Sequence, residues 1–179
     1  MQVPTADQTN SQGLELYRAG RFEDAIAAFA QAQQAFLAQD NLKGAAECAN
    51  NRGVAARQAA RLDEAGAAFT EAYHILEKLG DRRSQGMVAG NLGALAESRG
   101  QRDQAVAFYK QAIELFEAAG AAELAAETWR ALSRLRMKQG EWFAALGAYD
   151  ASLDSVRHPT PTQRALRGLL GVSRRLMRK

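Results

Sequence analysis

A fixed 40-residue period constrains this chain more than any other feature. Gly20-Arg-Phe-Glu-Asp-Ala25, Ala60-Arg-Leu-Asp-Glu-Ala65, Gly100-Gln-Arg-Asp-Gln-Ala105 and Gly140-Glu-Trp-Phe-Ala-Ala145 each follow the last by 40 positions. After each closing alanine, an aromatic stands four residues on and a small residue three further: Phe29 and Ala32, Phe69 and Ala72, Tyr109 and Ala112, Tyr149 and Ser152. Those spacings place all three on one helical face. Seven residues before each turn stand Gly13, Gly53, Gly93 and Ser133. Glycine inside a helix costs about 1 kcal/mol relative to alanine, so its recurrence there needs a packing reason. A small residue lets a paired helix approach closely, and the aromatic fills the groove opposite. The unit is therefore a helical hairpin whose apolar face is buried only by stacking on its neighbours.

Nothing between residues 5 and 158 interrupts helices, because the three prolines are Pro4, Pro159 and Pro161. The spacing predicts helices over about 7–19, 22–38, 41–59, 62–79, 81–99, 102–119, 121–139 and 142–156. The expected organisation is a disordered N-terminus over 1–6 and four repeats at 7–40, 41–80, 81–120 and 121–156. A basic amphipathic C-terminal helix, within 157–179, is expected to follow and cap the array. Its start is marked by Thr160, Pro161 and Gln163, an N-cap, first-turn proline and capping-box residue. Leu166, Leu169, Leu170, Ser173, Leu176 and Met177 then share one face, with arginines on the other.

Charge is divided unevenly along the chain. Seven basic and no acidic residues lie from Arg157 onward, while the preceding residues carry 16 Lys and Arg against 20 Asp and Glu. Cys48 is the single cysteine and reads as a small buried thiol, and no run approaches a membrane span, so a cytoplasmic protein is expected. No catalytic or metal constellation is legible. His74 and His158 lack metal spacing, no phosphate-binding glycine loop occurs, and Glu23-Asp24 and Asp63-Glu64 sit just after turns, where helix N-termini favour acids. The expectation is a protein without enzymatic activity, metal or cofactor.

These residues resemble the tetratricopeptide repeat family. Leu92-Gly93, Gly100, Ala105, Tyr109 and Ala112 carry its pattern in one repeat, and Trp129, Leu132, Gly140, Trp142, Ala145 and Tyr149 in another. The usual period is about 34 residues, so these hairpins are longer. That length, with Gly80-Asp81-Arg82 followed by Asn91-Leu92-Gly93, resembles the arrays of kinesin light chains and spindle-orienting adaptors. The resemblance implies an all-α, right-handed α-solenoid of four hairpins plus the capping helix. It departs from the pattern at Thr9 and Gln12, which suit an exposed first end, and at Ser133 and Arg136 in the fourth repeat.

In such arrays the first helix of each hairpin lines a concave groove, and the resemblance carries Asn10, Asn50, Asn51, Arg57, Asn91, Arg130, Arg134 and Lys138 onto it. Asn51 and Asn91 are equivalent by register, and a side-chain amide can serve a partner's backbone as donor and acceptor together. Arg130, Arg134 and Lys138 repeat every four residues as a basic stripe suited to carboxylates or phosphates, with Glu97 in the same groove as the opposing charge. The alternative for both features is a merely solvated helix face. The implied function is a scaffold or adaptor that takes a peptide or helix of another protein, acidic in part, in its groove. Self-association through open repeat ends is a further option. The rival reading is an electrostatic tether to an anionic membrane or nucleic acid through the Arg-rich last helix, and capping is preferred to it because the adjoining apolar face has to be covered.

Overall fold

A computed structural model describes residues 4–155. The helix expected within 157–179 lies outside the described residues. Eight helices pack as successive antiparallel hairpins: α1 (Ala6–Arg18) with α2 (Phe22–Ala38), α3 (Leu42–Gln58) with α4 (Leu62–Leu79), α5 (Arg82–Ser98) with α6 (Arg102–Ala118), and α7 (Ala122–Lys138) with α8 (Trp142–Asp154). No strand occurs among the described residues. Each helix packs on the next in chain order, which is the arrangement of an α-solenoid.

The backbone repeats at half the interval seen in the side chains. Gly20, Asp40, Ala60, Gly80, Gly100, Gly120 and Gly140 all have positive φ, between 53° and 78°. At each, two hydrogen bonds close the preceding helix. Gly20 N–H donates to the Tyr17 carbonyl and Arg21 N–H to the Leu16 carbonyl, and the same pair recurs through to Gly140 with Met137 and Glu141 with Arg136. One turn geometry thus serves both within hairpins and between them.

Where a new hairpin opens, side chains reinforce the turn. The Asn41 carboxamide oxygen accepts from Gly44 N–H at 2.9 Å, and the Asp81 carboxylate accepts from Ser84 N–H at 3.0 Å. That backbone bond is the main cause holding the Asp81 carboxyl below its ordinary range, with the Ser84 hydroxyl and Lys43, 3.4 Å away, adding to it against partial desolvation. Thr5 closes a full capping box with Gln8, so α1 starts at Ala6, inside the span expected to be disordered. Thr9, expected at an exposed end, is buried, and its hydroxyl donates to the Thr5 carbonyl at 3.0 Å.

The core follows the small-residue rule. A β-carbon on Gly13 would lie 2.6 Å from the Phe29 ring, one on Gly53 2.6 Å from Phe69, and one on Gly93 2.8 Å from Tyr109. Overlap of that size excludes a larger residue unless the ring moves. Ser133 fills the fourth equivalent position and satisfies its buried hydroxyl by donating to the Ala145 carbonyl at 2.7 Å. Alanines 25, 65, 105, 125 and 145 are all essentially buried where helices cross, and Cys48 joins them, its thiol pushed up to about 12 by burial, with Glu47 and Asp7 adding to it.

Candidate partner-binding groove

The first helices of the hairpins present a common surface, because their side chains meet directly from one hairpin to the next. Gln58 on α3 donates to Tyr17 on α1 at 3.4 Å, Asn91 on α5 donates to Asn50 on α3 at 2.7 Å, and Lys138 on α7 lies 3.6 Å from Glu97 on α5. The residues expected to line a groove divide on this surface into two clusters and two outliers.

The first cluster is built on the Asn50–Asn91 hydrogen bond. By chain register Asn91 corresponds to Asn51, yet its amide reaches Asn50, since helices crossing at an angle bring the preceding residue of α3 nearest. Neither asparagine makes another side-chain hydrogen bond among the described residues. The amide hydrogens of Asn50 and the carbonyl oxygen of Asn91 are therefore not engaged by another side chain. Beside the pair opens a cleft of about 260 Å³ between α3 and α5, with Asn50 and Asn51 on one wall, Met87 and Val88 on the other, and Lys43 and Glu47 at its rim. Met87 is exposed and turns its thioether surface to this opening. Lys43 and Met87 were not foreseen, although each precedes an expected groove residue at helical spacing: Met87 stands four before Asn91, and Lys43 eight before Asn51.

The second cluster is ionic. Glu97 accepts a hydrogen bond from the Tyr109 hydroxyl at 2.6 Å through one oxygen and faces Lys138 through the other. Burial first, then the bond to Glu97 and its charge, raise the Tyr109 phenol above its ordinary range, while Arg134 and Arg57 oppose the shift from nearby. Lys138 thus faces the Glu97 carboxylate, and Arg57 and Arg134 lie near the Tyr109 hydroxyl that Glu97 accepts from. Arg134 is exposed and has no ion pair among the described residues, and the Arg57 Nε is enclosed without a hydrogen-bond partner. The hydroxyl of Tyr109 was missed because the residue was accounted for as a packing aromatic. The aromatic positions change from Phe at 29 and 69 to Tyr at 109 and 149, and the hydroxyl needs a polar partner when buried.

The outliers are Asn10 and Arg130. Asn10, on α1, is half-buried with its carbonyl oxygen enclosed and without a partner, and no contact joins it to the asparagine pair. Arg130 turns back on its own helix, its Nε donating to the Ala126 carbonyl at 3.2 Å, whereas Arg134 and Lys138 of the expected stripe are exposed.

A separate cleft of about 300 Å³ lies on the second helices, between α4 and α6, floored by Leu92 and Leu95. Its lining includes Gly66, where the residue 40 positions earlier is Ile26. Among the described residues no group of acids, histidines and cysteine is arranged to hold a metal ion, and no helix is long and apolar enough to cross a membrane.

The fold and this surface define a helical-hairpin solenoid with a polar face on its first helices. Residues 45–118 match the family model of the tetratricopeptide repeat, and the helical-hairpin register of that segment runs on from α1 to α8. Solved structures agree on the fold. BtubC (BKLC) from P. vanneervenii is 18% identical with a TM-score of 0.73, the alignment covering 87% of this chain and 66% of that one. Aspartyl phosphate phosphatase F from Bacillus subtilis is 16% identical with a TM-score of 0.79, covering 84% of this chain and 39% of that one. The Rap conjugation gene regulator of the plasmid pLS20, solved with a Phr peptide, is 20% identical with a TM-score of 0.72, covering 85% and 42%. This chain therefore spans from about two fifths to just under two thirds of the length of these neighbours. No curated protein matches the sequence at a significant level.

Proposed function

We propose that this chain is a non-enzymatic interaction scaffold whose first-helix surface holds an extended or helical segment of another protein. The observation that carries the reading is the Asn50–Asn91 pair, which offers one free amide donor and one free carbonyl acceptor side by side at the mouth of a partly apolar cleft. That is the complement of a peptide backbone unit, whose carbonyl and N–H need the same two partners whatever its sequence. An apolar side chain from the partner enters beside Met87 and Val88. Further along, Arg57, Arg134 and Lys138 meet an acidic residue, with Glu97 setting the groove's own balance of charge. The pLS20 regulator, similar in fold, was solved with a peptide bound, which is consistent with this use of the architecture.

A random peptide library displayed on phage and selected on the whole protein tests the proposal, followed by hydrogen-exchange mapping of a selected peptide. Protection concentrated in α3, α5 and α7 supports it. Protection confined to α4 and α6 would assign binding to the opposite cleft and overturn it.

A further inference from the structure

Side chains of successive first helices meet at one fixed separation. Tyr17 and Gln58, Asn50 and Asn91, and Glu97 and Lys138 are each 41 residues apart, one repeat plus one residue. The same separation pairs Asn10 with Asn51, which stand 40 residues before Asn50 and Asn91 and occupy the matching station between α1 and α3. Both are half-buried, and neither makes a side-chain hydrogen bond among the described residues. The Asn10 carbonyl oxygen is enclosed without a donor, and it is the counterpart of the Asn50 oxygen that accepts from Asn91 at 2.7 Å. An enclosed acceptor left unpaired is costly, so this station is shaped for a donor. The next pair in the series, Gly90 and Ala131, carries no amide, and nothing lies within 4 Å of a β-carbon built on Gly90.

Two stations one repeat apart set a length. Cα atoms of α3 and α5 approach within 8 Å, and helices in such contact have axes about 8–10 Å apart. A chain in the polyproline II conformation turns once every three residues and rises about 9 Å in doing so, which returns an equivalent peptide unit to the same side. A β-strand repeats its orientation every two residues, or about 7 Å, and falls out of step with the stations. An α-helix uses its N–H and carbonyl groups internally and has none to offer.

Given the groove reading proposed above, we infer that Asn10 and Asn51 are a second station for a peptide backbone, and that the partner segment is extended, polyproline II-like, and held by two peptide units three residues apart. In the occupied station the Asn51 amide donates to the enclosed Asn10 oxygen, as Asn91 does to Asn50. The Asn10 amide hydrogens and the Asn51 carbonyl then serve the ligand.

The test takes a peptide selected on the whole protein and replaces each backbone amide in turn by an ester, which removes the N–H that an asparagine carbonyl would accept. Titration against the parent protein should find two positions, three residues apart, at which the Kd weakens about fivefold or more. Asn51→Ala should weaken the unmodified peptide to a similar extent, abolish the ester effect at one of those positions and leave it at the other, with little change in melting temperature. One sensitive position, two at another spacing, or none would overturn the inference, as would an Asn51→Ala protein that binds like the parent. Hydrogen exchange separates this failure from failure of the groove reading. A peptide that protects α3 and α5 without the three-residue pattern refutes the second station alone, whereas one that protects only α4 and α6 refutes both.

Discussion

Gly53 faces the ring of Phe69 so closely that a β-carbon there would lie 2.6 Å from it, while Phe69 itself is wholly buried. The ring has nowhere to go. Gly53→Ala should therefore destabilise the fold by about 1–3 kcal/mol through overpacking, even though alanine is the better helix former. Gly90, in the next first helix, has nothing within 4 Å of its would-be β-carbon, and Gly90→Ala should stabilise by about 0.5–1 kcal/mol. Urea midpoints measured side by side check the two signs.

Ala60 holds φ of 59° at the turn within the second hairpin, a conformation that costs an L-residue about 1–2 kcal/mol and glycine almost nothing. Ala60→Gly removes that strain and gives back part of the gain as unfolded-state entropy, for a net stabilisation of about 0.5–1 kcal/mol. A rise in melting temperature of a few degrees is the expected reading.

Asp81 has a folded-state pKa below its unfolded value, so it contributes stability above the ordinary carboxylate range and loses it as pH falls through the depressed pKa. Asp81→Ala should cost about 1 kcal/mol at neutral pH by removing the cap on α5. Asp81→Asn keeps a capping oxygen and should lose less there. Both variants should show a smaller loss of stability than the parent between about pH 5 and pH 2, which urea melts across that range would measure.

Glu97 accepts from the Tyr109 hydroxyl and faces Lys138, with Arg57 and Arg134 near the same hydroxyl. Glu97→Gln keeps an acceptor for the Tyr109 hydroxyl and removes the charge, so peptides with an acidic residue should bind several-fold tighter and with a steeper salt dependence. Titrations at two ionic strengths give both numbers.

The hairpins were legible because each packing contact uses a residue type that recurs: glycine at 13, 53 and 93, and an aromatic at 29, 69 and 109. The 20-residue backbone period was hidden, since the left-handed residue is Asp40 at one turn and Ala60 at another, and only the structure shows them sharing the geometry of Gly20. The helices that carry the expected groove residues were legible, but not the contacts those residues make. Register names Asn51 as the equal of Asn91, whereas the angle between α3 and α5 selects Asn50; register also lines up Arg130 with Arg134, whereas Arg130 bonds its own backbone. Which of two adjacent side chains meets a neighbour depends on crossing geometry, which spacing along one chain does not contain.

The asparagine pair is where the account is most exposed. With a peptide selected on the parent protein, isothermal titration of the double variant Asn50→Ala, Asn91→Ala should show at least a tenfold weaker Kd, with a melting temperature changed by no more than a few degrees. An unchanged Kd in a variant that melts like the parent would contradict the assignment of this surface as the binding site.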